Sequence, residues 1–93
     1  MRPKRTLKDG NHEEIRDGLR ALGAVVWDTA DLGGEVFDLV VSWRGRTVPV
    51  EVKLPGREWQ LTDDQCKSIV ELYRVGVYPI VATCVEDVVN KFS

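Results

Sequence analysis

The chain has 93 residues, 43% of them apolar and 30% charged, with a formal net charge of −2. That suffices for one hydrophobic core and not for two, and no apolar run approaches the ~20 residues of a membrane span. The slightly acidic balance excludes nucleic-acid binding driven by net charge alone, although phosphate affinity depends on where cations cluster rather than on their sum.

The start, MRPKRTLKDG, lacks the apolar stretch of a secretory signal. Residues 1–8 instead form a basic arm (Arg2, Lys4, Arg5, Lys8), expected to be mobile. It is either a solvated tail or a nucleic-acid arm, in which Lys4 and Arg5 would touch phosphates. Residues 9–93 read as a single domain. Cys66 and Cys84 have no C-x-x-C spacing and no histidine cluster to join. That predicts two buried apolar thiols in a reducing, cytoplasmic compartment.

Asn11 to Leu22 reads as a helix. Asp9 or Asn11 is placed to cap it, acids fill its first turn, and Gly23 stands at the stop position. Ile15, Leu19 and Leu22 recur at i, i+4 and i+7, the stripe that would meet a core. At about 100° per residue, Glu14 lies at the edge of this stripe and Glu13 opposite it. Glu14 is therefore the acid that can lean over a sheet, and His12 lies on the other flank. Ala24 to Asp28 (AVVWD) is a short strand, and Thr29 to Glu35 a Gly-rich loop containing Gly33-Gly34.

Two apolar runs, FDLVVSW and TVPVEVK, flank Arg44-Gly45-Arg46 and read as a β-hairpin. If its loop has two residues, Arg44 and Gly45, then Trp43 faces Arg46 and Asp38 falls opposite Glu51. Opposed residues share a face, with Cβ atoms ~5 Å apart, and Lys53, two residues beyond Glu51, shares it too. A three-residue loop would send Asp38 and Glu51 to opposite faces. Pro49 complicates the strand: it must lie at a bulge, which shifts the register, or at a sheet edge.

Two carboxylates held this close repel each other. A shared proton, the Lys53 ammonium or a divalent cation would relieve them. Two carboxylates with few other ligands suit Mg²⁺, which keeps several waters. Acid, acid and lysine then form the minimum for phosphodiester hydrolysis, Lys53 acting on the attacking water or on the transition state. The plain alternative is a surface Glu51–Lys53 salt bridge with Asp38 as a strand-entry residue.

Pro55 to Gln60 (PGREWQ) is a loop in which Arg57 is a candidate phosphate contact, while Trp59 either stacks on a base or packs on the core. Thr62 to Val75 is a second helix. Its start fits a capping box, Thr62 at N-cap and Gln65 three residues on, and Cys66, Ile69, Val70 and Tyr73 form its predicted buried face. Gly76 ends it. Tyr78 to Cys84 (YPIVATC) is a buried strand, parallel to the Glu51 strand because a helix crosses between them. Val85 to Phe92 is a short closing helix. The fold class is α/β: an α-β-β-β-α-β core with a mixed sheet flanked by helices. Trp27, Trp43 and Tyr78 do not all fit inside so small a core, and a homodimer is the expected assembly.

The acid on one strand and (D/E)-x-K on the next, Asp38 then Glu51 and Lys53, resemble the PD-(D/E)XK nuclease superfamily. Within it, the chain is similar to small VRR-NUC-like phage and prophage nucleases. The matching segments are Asn11 to Ile15, Leu19 to Ala24, Gly34 to Val40, Glu51 to Lys53 and Leu61 to Gln65. They span nearly all of the chain from Asp9 to Thr83, and one departure is Phe37 where the family often has Pro. The resemblance implies a restriction-endonuclease-like fold and a Mg²⁺- or Mn²⁺-dependent DNA endonuclease in a phage-infected or prophage-bearing bacterial host. Asp38, Glu51 and the Val52 carbonyl would hold the metal, and Lys53 would act on water or the transition state. Gln65 would point at the active site rather than serve its cap, and the family's acid on the first helix maps onto Glu14. Branched DNA such as four-way (Holliday) junctions is the implied substrate, with a helicase or another replication or recombination protein as a possible partner. The Gly33-Gly34 pair would let DNA approach Asp38. The alternative is a catalytically silent nucleic-acid-binding accessory protein on a nuclease scaffold.

Overall fold

In the computed structural model, which describes residues 10–32 and 37–93, the hairpin closes through Arg44 and Gly45. The residues 1–8 arm with Lys4 and Arg5, and the Gly33-Gly34 pair, lie outside the described residues. Both turn residues have positive φ, 52° and 80°, as the tight turn that matches strand twist requires. Strands β2 (Leu39–Trp43) and β3 (Arg46–Val52) then pair from Trp43↔Arg46 to Leu39↔Val50 without a bulge. The loop is the even-length one, so the face assignments made from it hold.

Pro49 causes no break because of where it falls. Pairs alternate between hydrogen-bonded and non-hydrogen-bonded, and counting from the turn makes Val40↔Pro49 a non-hydrogen-bonded pair. Its nitrogen therefore faces away from β2. On that side β4 (Ile80–Ala82) pairs in parallel only with Val50, Glu51 and Val52, so Pro49 stands at an open edge. Strand β4 is shorter than the predicted Tyr78–Cys84 segment, and Tyr78 is exposed.

Strand β1 (Val25–Asp28) pairs antiparallel with β2, giving the order β1-β2-β3-β4 in one mixed sheet. Helix α1 (His12–Ala21) precedes the sheet, α2 (Asp63–Arg74) links β3 to β4, and α3 (Val85–Phe92) closes the chain. Ile15 and Leu19 of α1 and Val88 and Phe92 of α3 bury against Val26, Leu39, Val41, Val48, Val50, Val52, Ile80 and Ala82. Burial at this scale is worth ~1.5–3 kcal/mol per large aliphatic side chain, so this face holds the fold. Trp43 joins it, stacked obliquely on Phe92, and Arg46 lies over the same ring and donates to the Lys91 carbonyl.

The opposite face carries Val25, Trp27, Val40, Ser42, Thr47, Pro49 and Glu51 by the same register. Helix α2 covers only part of it, and Trp27 is exposed, as the small core predicted. Three expectations fail here. Leu22 is exposed because it sits past the last turn of α1. Cys66 is exposed and Cys84 half-buried rather than both being core thiols. Of the predicted buried face of α2, Val70 and Tyr73 are exposed, and Ser68 alone is buried on that helix. The apolar arc of α2 is wider than the surface beneath it, and one flank is left over.

The outer edge of β1 is guarded. Val26 faces away from β2, and Arg20 donates to its carbonyl at 2.7 Å, which blunts pairing with another strand. At the crossing of α1 and α3, a Cβ on Gly18 would stand 2.6 Å from Val85 Cγ2. Gly18→Ala should therefore destabilise the protein by about 1–3 kcal/mol through overpacking, against the ~1 kcal/mol that alanine normally gains in a helix. Adding Val85→Ala should recover part of the loss, as read by urea unfolding of both variants.

Candidate functional site

Asp38 lies one residue before β2, and continuing the ladder by one step puts it opposite Glu51. Its Oδ2 accepts from the Val52 amide at 2.9 Å. The geometry of β3 explains this. Lys53 N donates to Ala82 O on the β4 side, so alternation turns the amide and carbonyl of Val52 toward the β2 side. The Asp38 carboxylate thus takes the place a further β2 backbone group would occupy. Thr29 holds the approach: its amide donates to Asp38 O at 2.9 Å and its hydroxyl to Phe37 O.

Glu51 is a buried carboxylate, 5% exposed. Gln65 Nε2 donates to its Oε2 at 2.6 Å, and Lys53 Nζ lies 4.0 Å from the same oxygen. Both bring a donor hydrogen or a positive charge to a carboxylate that burial takes out of water. Gln65 also completes the capping box of α2: its Oε1 accepts from Thr62 N at 2.9 Å while its own amide donates to Thr62 Oγ1. Cap and site, set as alternatives by the sequence, are both filled by this one side chain, because a carboxamide has a donor end and an acceptor end.

Asn11 is the contributor that sequence reading missed. It occupies the N-cap position of α1 without capping it. Its Nδ2 instead donates to Lys53 O at 3.0 Å and Thr83 O at 2.7 Å, tying the ends of β3 and β4 together beside the lysine. Cap-type residues look alike in sequence whether they cap or bridge, so no local signal marks it.

Glu14 is exposed in the first turn of α1 and has no hydrogen bond or ion pair among the described residues. Helix α1 starts at the Lys53 end of the sheet but packs on the face opposite Glu51, so the structure does not bring Glu14 into contact with the other candidates. Arg57 and Trp59 are exposed in the loop that follows Lys53. Trp59 does not pack on the core; its indole donates to Gly56 O. His12, almost fully buried, lies on the α1 face and donates to Asp28 Oδ1 at 3.1 Å, while Arg16 donates to Asp28 Oδ2 at 2.8 Å.

The carboxylates of Asp38 and Glu51 and the Val52 carbonyl are all hard oxygen donors, the type that suits Mg²⁺ or Mn²⁺. Among the described residues no group of three or more His, Cys, Asp or Glu side chains gathers as a metal cage. Two carboxylates and one carbonyl are the kind of donor set taken by a small cation that retains much of its water.

Two outcomes follow. Burial pushes the Asp28 carboxyl up, but hydrogen bonds from Arg16 and His12 outweigh it and hold the carboxyl at about 2, below its ordinary 3.8. A depressed carboxyl stabilises the fold above its unfolded pKa and loses that contribution as pH falls through its folded one. Asp28→Asn should cost about 2 kcal/mol at neutral pH, and the gap to wild type should close on acidification from pH 4 toward 2, as read by denaturation at each pH. Gln65→Glu keeps an acceptor for Thr62 N but sets a second carboxylate against Glu51. It should be less stable than Gln65→Ala at pH 7 by about 1 kcal/mol or more. Melting temperatures of the two variants decide this.

Comparison with family models, with curated proteins and with solved structures finds no match to this chain.

Proposed function

We propose that this chain is a divalent-metal-dependent DNA endonuclease of the PD-(D/E)XK type, similar to small VRR-NUC-like enzymes. The observation that carries this is the buried Glu51 carboxylate, met by Gln65 and Lys53, next to the peptide whose amide binds Asp38. A buried acid with a like-charged neighbour costs stability that hydrophobic residues on this strand would not, and such a cost is the mark of a functional site.

Asp38, Glu51 and the Val52 carbonyl would hold Mg²⁺ or Mn²⁺. Bound there, the ion would polarise a phosphate oxygen and acidify a water. The chain's own groups do the rest. Val52 N fixes the Asp38 carboxylate, and Gln65 fixes Glu51. Lys53 places a cation where negative charge grows on the phosphoryl oxygens. Exposed Arg57 is positioned in the adjoining loop to meet a neighbouring phosphate, and Trp59 presents a ring to a base. Branched DNA is the substrate class carried over from the family resemblance.

One observation favours the second reading, a catalytically silent nucleic-acid-binding protein. Glu51 already has a carboxamide and an ammonium beside it, so Lys53 itself relieves the carboxylate. No helix of the described residues is long and apolar enough to cross a membrane, which fits either reading.

The test is cleavage of labelled duplex, single-stranded, flap and four-way-junction DNA with Mg²⁺ or Mn²⁺. Lys53→Ala should lower the rate by roughly a hundredfold or more. Mg²⁺ should raise the melting temperature, by the equivalent of about 2.7 kcal/mol at a hundredfold excess over Kd, and Glu51→Gln should abolish the rise. DNA bound but uncut under all metals would establish the silent reading.

A further inference from the structure

The sheet face that carries Glu51 also presents a bare ring. Trp27 of β1 is 66% exposed, and among the described residues it makes no hydrogen bond and stacks on no other ring. Trp43, by contrast, packs on Phe92, and Trp59 lies off the sheet in the loop after Lys53. Exposure of a single apolar side chain means little by itself. The place of Trp27 in the register means more.

Residues paired across the sheet form rows on this face. Thr29, Asp38 and Glu51 make one row: the Thr29 amide bonds to Asp38 O, and one further step of the hairpin ladder sets Asp38 opposite Glu51. The next row is Trp27–Val40–Pro49, and the one beyond it is Val25–Ser42–Thr47. Neighbouring rows on one face are ~7 Å apart, at ~3.4 Å per residue. A strip one ring wide, Trp27 with half-buried Val40 and Pro49, thus lies between the acids and a row in which the Ser42 and Thr47 hydroxyls meet at 2.7 Å.

That order matches the parts of a nucleic-acid strand. Serine and threonine hydroxyls bind phosphate and sugar oxygens, and an aromatic ring takes the face of a base. A stable protein interface needs about 800 Å² from each partner, far more than one apolar row bordered by polar ones. In a duplex each base already stacks on its neighbours, so only an unpaired base offers its face to a protein ring.

We propose that Trp27 stacks on an unpaired base next to the phosphate held at Asp38 and Glu51, so that the substrate is DNA with a single-stranded segment at the cut. The position of the phosphate rests on the nuclease reading; the stacking is a binding property of its own.

Anisotropy of a labelled single strand and of the blunt duplex of the same sequence tests it, in Mg²⁺ and on a Lys53→Ala background that slows cutting. Adding Trp27→Ala should weaken single-strand binding by roughly tenfold and leave duplex binding nearly unchanged. Trp27→Phe should keep most of the affinity, because a phenyl ring still stacks. The ring is exposed, so the melting temperature should hold in both variants. A single strand that does not bind, an equal loss on both DNAs, no loss, or failure of Trp27→Phe to retain binding would overturn the proposal. So would a change of oligomeric state on Trp27→Ala, which would make the ring a protein contact. A single strand bound through Trp27 by wild type that cuts no DNA would uphold the stacking and sink the nuclease reading alone.

Discussion

Register is the constraint on which the rest of this molecule depends. A two-residue turn with both residues at positive φ pairs Trp43 with Arg46, and every later pair follows in steps of one. A slip of β3 by one residue would carry Val48 and Val50 away from the core and Glu51 into the aliphatic layer under α1 and α3. The core and the candidate site are thus two sides of one decision. The hydrophobic side enforces it, because each misplaced aliphatic residue costs ~1.5–3 kcal/mol. The polar side benefits without having to supply the energy.

That division explains how a carboxylate cluster survives in so small a domain. Glu51 is buried under the less crowded face, where α2 brings a carboxamide and β3 brings its own lysine. Asp38 is anchored by a backbone amide rather than by a cation. Each acid has donors of its own, so neither depends on the other. Asn11 and Thr29 work one step further out, holding the backbone on either side of the acids. On the other face Asp28 has a comparable arrangement with His12 and Arg16. There the partners link α1 to β1 and stand apart from the acids of the site.

Much of this was legible in the sequence. Helices at Asn11–Leu22, Thr62–Val75 and Val85–Phe92 and the hairpin at Arg44-Gly45 come from periodicity, caps and turn chemistry, all local signals. The juxtaposition of Asp38, Glu51 and Lys53 followed from counting across one turn. What could not be read was long-range. The two bonds of Asn11 cross 42 and 72 positions of chain, and no local pattern encodes them. Exposure of Cys66, Val70 and Tyr73 depends on how much sheet lies beneath α2, which helical periodicity does not report. Pro49 looked like a flaw until the brevity of β4 placed it at an open edge. Gln65 looked like a choice between two roles because each had been assigned to the whole side chain rather than to one of its ends.

The double engagement of Gln65 ties two events together. Its oxygen closes the first turn of α2 and its nitrogen holds Glu51. Helix ends fray more readily than helix centres, and α2 has little buried surface to resist opening. When that turn unwinds, Glu51 loses its carboxamide in the same step. The assembled site is then only as stable as one helical turn, and amide exchange at Gln65 and Cys66 reads the opening free energy of both together.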